Sequence, residues 1–339
     1  MTKRLSRAYT QLISGIGTLL EDARHKTVQT INSFLVQTYW EVGKRIVEFE
    51  QAGSQRADYG TELLIQLSRD LSEQHGKGFS RSNLQYMRLL FIKYPICQTL
   101  SGKLGWSHYV ELLGIGDDLA RGFYEKQCVT ENWSVRELKR QRDSALFERL
   151  ALSRDKKGVL KLAKDGHKPE SPSELVKDPY VLEFLKIPEA HRYNERELED
   201  RLLNNLQSFL LELGKGFAFV ARQHRVTLDN IHHYVDLVFY HRILKCFVLI
   251  DLKIGKVKHQ DIGQMNMYLN YFKAEESVEG DRDPIGIVLA ADKDEVMVRY
   301  ARGDLSDKLF VSKYQLYLPD RKLLQEQVES VLSEKEEGT

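Results

Sequence analysis

The stretch YVDLVFYHRILKCFVLIDLKIGKVKH, residues 234–259, contains two runs rich in β-branched and aromatic residues, joined by HRILK. Runs of this kind read as strands, and so short a join makes them a hairpin. Three charges stand inside them: Asp236 in the first run, Asp251 and Lys253 in the second. Charged side chains are seldom buried unless they are paired or bind a cation, so their position needs a reason. Residues facing each other across an antiparallel pair share a constant sum of numbers. A turn centred on residues 243 and 244 therefore sets Asp236 opposite Asp251, and opposed residues project to the same face. Lys253 lies two positions further on, and period-2 alternation adds it to that face.

Two opposed carboxylates repel each other unless a cation sits between them, and oxygen ligands suit Mg²⁺ or Mn²⁺. A lysine beside that site can orient a water nucleophile or offset charge developing on a phosphorane. Together these are the parts needed for metal-assisted phosphodiester hydrolysis. The same residues also fit a surface ion pair of Lys253 with either aspartate, since D-x-K arises often by chance. Runs such as FVLI beside Asp251 weigh toward the functional reading, because perturbed charge clusters are enriched at sites.

Outward from the hairpin, residues 196–339 read as a mixed α/β domain. RELEDRLLNNLQSFLLELG is an amphipathic helix closed by Gly214, and GFAFVARQHRVTL is a strand. HQDIGQMNMYLNYFKAEE returns to helical spacing, DPIGIVLAAD and EVMVRYA read as strands, and DRKLLQEQVESVL as a final helix. This order implies a mixed sheet flanked by helices. Residues 151–195 concentrate prolines and charges and read as a linker or an arm packed on the surface. SEKEEGT reads as a frayed end.

Residues 1–150 read as helical. Ile31, Phe34, Leu35, Tyr39, Val42 and Ile46 form one stripe, and Leu63, Leu64, Leu67 and Leu71 another. HGKGFS then turns the chain, Ser80 can cap the next helix, and Pro95 helps to end it. Helix, glycine turn, helix is the outline of a helix-turn-helix. Its second helix presents Arg81, Ser82, Asn83, Gln85 and Arg88, types that contact phosphates and base edges. From spacing alone the alternative, a helical bundle whose surface happens to carry these residues, is the more ordinary reading, since short helical hairpins are common.

Lysine and arginine total 50 against 49 acids, so nucleic-acid binding has to come from local basic patches. Lys256, Lys258 and His259 after the second strand make one such patch, or a solvated loop. The three cysteines form no C-x-x-C pattern, which suits a reducing compartment. No signal-peptide core or membrane-length apolar run occurs, and a cytoplasmic location is expected. His232 and His233 are adjacent in a strand and face opposite ways, so they do not readily chelate one ion.

The arrangement resembles the PD-(D/E)XK nuclease superfamily: an acidic helix, an aspartate in one strand and (D/E)-x-K in the next. It is closer still to bacterial YhcG-like proteins, through FLLELGKGFAFVARQHRV, YVDLVFYHR, LIDLKIG and DIGQMNMYLNYF. YWEVGKRI, GKGFSRSNLQYMR, WSHYVELL and NWSVRELKRQ extend the likeness over about residues 15–320. The resemblance implies a two-domain α+β protein, a helical DNA-binding domain ahead of a nuclease domain, and a Mg²⁺- or Mn²⁺-dependent nuclease acting on DNA. It implies Asp236 and Asp251 as metal ligands and Lys253 as the lysine that positions water. Glu199 matches the helix acid, with Glu197 as a neighbouring candidate, and Gln264 matches the glutamine of the following helix. Tyr268 lies one turn further on, and Gln223 in the first strand reaches toward the same site. Asp251 stands where glutamate is more usual. The partner implied is DNA; cutting both strands would suit a second copy of the chain, and an accessory role would suit proteins of a restriction, defence or repair system. The competing reading is an accessory DNA-binding protein that keeps the nuclease fold without cutting.

Overall fold

A computed structural model describes residues 2–52, 59–152, 154, 156–167, 171–188, 192–294, 298 and 307–333. The chain divides into two compact units, residues 1–140 and 141–339. No described helix is long and apolar enough to cross a membrane.

The first unit is helical. One helix, α1 (Thr2–Ala52), is followed by α2 (Tyr59–His75), α3 (Arg81–Lys93), α4 (Trp106–Leu113), α5 (Asp118–Glu131) and α6 (Val135–Asp143). Helix α1 buries Val36, Trp40, Ile46 and Val47. Of the expected stripe, Tyr39, Val42 and Ile46 pack in the core, whereas Ile31, Phe34 and Leu35 are exposed.

Between α2 and α3 the chain turns through Gly76 and Gly78, both at positive φ, where a side chain would be strained. Ser80 then caps α3 by accepting from the Asn83 N–H at 3.3 Å. Helices α1 and α3 meet at Gly43, where an added Cβ would lie 1.9 Å from the Met87 carbonyl oxygen. Backbone cannot yield there as a flexible side chain would. Gly43→Ala is therefore expected to destabilise the unit by about 3 kcal/mol, seen as a lower urea midpoint for the full chain.

The second unit is built on a six-stranded sheet. Its strands are β1 (Tyr180–Val181), β2 (Phe217–Leu228), β3 (Ile231–His241), β4 (Cys246–Lys256), β5 (Ile285–Asp292) and β6 (Leu309–Gln315), in spatial order β1-β6-β5-β4-β3-β2. Strands β2, β3 and β4 are antiparallel, while β4, β5, β6 and β1 run parallel. Ile285 to Ala290 are all buried, as expected of a parallel strand covered on both faces.

One covering layer holds α10 (Glu195–Asn204) and α11 (Leu206–Leu213), with Leu198, Leu202 and Phe209 packed on Leu237, Phe239, Val248 and Ile250. The other holds α12 (His259–Tyr271), with Ile262, Met265 and Tyr268 packed on Val238, Leu249 and Val288.

Strand β6 escaped the sequence reading, because its residues alternate too weakly to stand out. The strand expected over 295–301 lies outside the described residues, except for Val298 in a helical position. Within 151–195 the chain forms α8 (Lys156–Asp165), α9 (Pro172–Leu175) and the edge strand β1. These bury Val159, Leu162, Leu175 and Tyr180.

Candidate active site

The site forms where β3 and β4 stop pairing. Their ladder runs from His241 opposite Cys246 to Leu237 opposite Ile250. The next pair in that register is Asp236 opposite Asp251, as the constant sum requires. Here the strands give up backbone pairing. The Asp236 carboxylate instead accepts the Leu252 N–H at 2.7 Å.

Strand β3 also changes sides at this point. Leu237 packs in the layer under α10 and α11, whereas Val235 packs in the layer under α12. In a regular strand residues two apart share a face, so the chain is twisted at Asp236. Its neighbour on β2 is Gln223, between the pairs Arg222–Leu237 and His224–Val235. Gln223 has φ of +46°, a left-handed conformation costing about 1–2 kcal/mol for a residue with a side chain. That conformation lets its amide donate to two carboxylates: Glu199 Oε2 at 2.7 Å and Asp236 Oδ1 at 2.9 Å. A strained residue bridging two acids is an arrangement that clusters at functional sites.

Asp251 is buried, and its Oδ2 meets Lys253 Nζ at 2.7 Å. Burial pushes the Asp251 carboxyl up to about 7; repulsion from Asp236 adds to this, and Lys253 opposes it. Burial works to lower the Lys253 ammonium, but the charges of Asp251 and Asp236 outweigh it and hold the group above its ordinary value. Glu199 is raised by burial first and by Asp236 next, against the hydrogen bond from Gln223 and the charge of Arg222. The site is thus an excess of carboxylate in a poorly solvated place, with one ammonium beside it.

Between Glu197 and Glu199, the two candidate acids on α10, the geometry distinguishes clearly. Glu199 is buried and faces Gln223, whereas Glu197 pairs with Arg201 at 3.0 Å on the solvent side. Arg222, a residue the sequence reading passed over, joins Glu199 at 3.3 Å and Asp200 at 3.0 Å. No sequence signal marks it, because its role depends on which helix lies over β2.

Gln264 is linked to β3 through Tyr268. Its amide donates to the Tyr268 hydroxyl at 2.5 Å, which in turn donates to the Tyr234 carbonyl at 2.8 Å. Tyr268 is fully buried, and its phenol is raised by burial, then by Asp251 and Asp236. The pair therefore buttresses β3 two residues before Asp236. Lys256 is exposed and pairs with Asp294 at 3.4 Å, and Lys258 is exposed at the start of α12.

In the helical unit, Asn83 has both amide ends engaged, donating to the Gly78 carbonyl and accepting from Trp106 Nε1. Arg88 pairs with Glu50 at 2.7 Å, Gln85 is half-buried and Arg81 exposed.

Residues 173–329 match the model of the YhcG PDDEXK nuclease domain, and residues 15–149 that of the DUF1016 N-terminal domain. The chain is 38% identical to the Escherichia coli (strain K12) protein named "Putative nuclease YhcG", covering 100% of this chain and 98% of that one. A repair endonuclease from Pyrococcus abyssi aligns at 18% identity and a TM-score of 0.26, over 39% of this chain and 50% of that one. The EndoMS–dsDNA complex aligns at 15% identity and a TM-score of 0.26, over 40% of this chain and 51% of that one.

Proposed function

Because this chain belongs to the family of YhcG PDDEXK nucleases, we propose that it is a metal-dependent nuclease that hydrolyses phosphodiester bonds of DNA. The observation that carries the reading is the meeting of Asp236, Asp251 and Lys253 where β3 and β4 part, with Gln223 clamping Asp236 to Glu199.

The donor set fits a hard divalent cation. Mg²⁺ is often held by one or two carboxylates, with water and substrate phosphate completing its shell. Among the described residues no group of three or more acidic, histidine or cysteine side chains converges on one point. Asp236 and Asp251 would hold the ion, Mg²⁺ or Mn²⁺, with Glu199 assisting through water. Bound there, it would polarise the scissile phosphate and acidify water.

The protein's own groups account for the rest. The Leu252 N–H and the Gln223 amide fix the Asp236 carboxylate, so it is oriented before substrate arrives. Lys253 holds the attacking water and offsets charge as it develops on the phosphate oxygens. Gln264 acts through Tyr268 on the backbone of β3 and is a positioning residue. Residues 196–339 carry the chemistry in this reading, and the helical residues 1–150 bind DNA through α3, with Arg81 and Gln85 the outward candidates. Lys256 and Lys258 add phosphate contacts beside the site.

Purified full-length protein is expected to cut linear, nicked or branched DNA in Mg²⁺ and to leave it intact in EDTA. Intact DNA under both conditions, with gel-shift binding retained, would overturn the enzymatic reading in favour of a non-cleaving binding protein.

A further inference from the structure

Past the carboxylates, β2 and β3 continue as a two-stranded ribbon from the pair His224–Val235 to the pair Leu228–Ile231. It closes through Asp229 and Asn230, both left-handed, as in a two-residue hairpin turn. One side of the ribbon is anchored. Val226 and Val235 are fully buried against Met265, Tyr268 and Phe272. Alternation puts Arg225, Thr227, His232 and Tyr234 on the other side, and all four are exposed.

That exposed side is orderly. Arg225 is opposite Tyr234, and Thr227 is opposite His232, with Thr227 Oγ1 and His232 Nδ1 3.0 Å apart. Successive pairs are about 6.8 Å apart along the strands. Arg225 follows Gln223 by two residues and Tyr234 precedes Asp236 by two, so along the strands the row begins next to that clamped pair. The Tyr234 carbonyl is held by the buried Tyr268 hydroxyl, which fixes the base of the side chain. Tyr234 is nevertheless 46% exposed. Within the row the charged side chain is a cation, and the ribbon's own acid, Asp229, is at the far turn.

We propose that this face of the ribbon binds an unpaired stretch of DNA strand next to the scissile phosphate, with Tyr234 stacking on a base and Arg225 contacting the backbone. An aromatic ring beside a cation is the combination that holds single strands, because every base offers a π-face once it is unstacked. Base pairs inside a duplex keep those faces covered. The ribbon thereby selects forked, flapped or single-stranded substrate over blunt duplex. The placement beside the scissile phosphate rests on the nuclease reading above; the affinity for unpaired DNA does not.

Fluorescence anisotropy of the full chain in EDTA tests binding without cleavage, using a single-stranded oligonucleotide, a forked duplex and a blunt duplex. Tyr234→Ala is expected to weaken binding of the first two about tenfold and of blunt duplex less than twofold. Tyr234→Phe retains the ring and restores parental affinity. Arg225→Ala weakens binding and reduces the salt slope by about one. An unchanged thermal midpoint for each variant shows that the fold is intact. Equal losses on all three DNAs, no loss on any, or failure of Phe to restore affinity would overturn the proposal. Cleavage assays in Mg²⁺ are read separately, so loss of the nuclease reading would leave this binding result standing.

Discussion

Lys253→Ala is expected to cut DNA about 10²–10³-fold more slowly than the parent in Mg²⁺, while binding it within a few-fold. The reason lies in its surroundings. Lys253 Nζ is held at 2.7 Å by a buried carboxylate and is only 19% exposed, so water cannot easily replace its charge. The loss in rate falls on charge and orientation at the attacking water. A variant that cuts as fast as the parent would remove Lys253 from the mechanism.

Asp251→Asn extends the test to the metal. Burial and Asp236 push the Asp251 carboxyl up to about 7, so proton and cation compete for it. Parental affinity for Mn²⁺ should therefore fall as pH drops below about 7. Calorimetric titration should find much weaker binding in Asp251→Asn, with that part of the pH dependence gone.

The largest effect on stability is expected at Glu212, far along the chain from these carboxylates. Glu212 and Arg149 form a buried pair at 3.0 Å, with side chains 0% and 3% exposed. Arg149, on α7 (Leu146–Ala151), also donates to the carbonyls of Ser144 and Pro179. Glu212, on α11, also accepts the Val181 N–H at 3.0 Å, at the start of the sheet. Three elements distant in sequence are thus joined by one ion pair and its hydrogen bonds.

Glu212→Ala would leave the guanidinium buried without its counter-charge, at a cost of about 3–5 kcal/mol. In a unit of this size that lowers the thermal midpoint by roughly 10 °C. Replacing both partners, as in Arg149→Met with Glu212→Leu, should recover much of the loss, because no charge is then stranded. A urea titration of the two proteins would show it, and equal midpoints would place the stabilisation elsewhere.

The hairpin was legible because its information is local. Two β-rich runs and a short join set the register, and the observed ladder from His241–Cys246 to Leu237–Ile250 follows it. Helix α3, its Ser80 cap and the glycine turn before it were equally legible, since each depends on residues within one or two turns. Strand β6 has the opposite character: it becomes a strand by parallel pairing with β5 and with the distant β1, and no tight hairpin turn marks either pairing in the sequence. Asn83 and Arg88 looked like outward contact residues on α3, but Trp106, Gly78 and Glu50 engage them from other parts of the chain.

The sequence by itself determined the strand pair and its register, and with them the nearness of Asp236, Asp251 and Lys253, because alternation and antiparallel counting act over a few residues. Only the tertiary structure decided the surroundings of those groups. It placed Glu199 and not Glu197 against Gln223, brought Arg222 to Glu199, and turned Gln264 to Tyr268. It also twisted β3 at Asp236 opposite a left-handed Gln223. Such contacts depend on which layers pack together and on where a strand gives up its regular backbone, and no spacing within one segment records either.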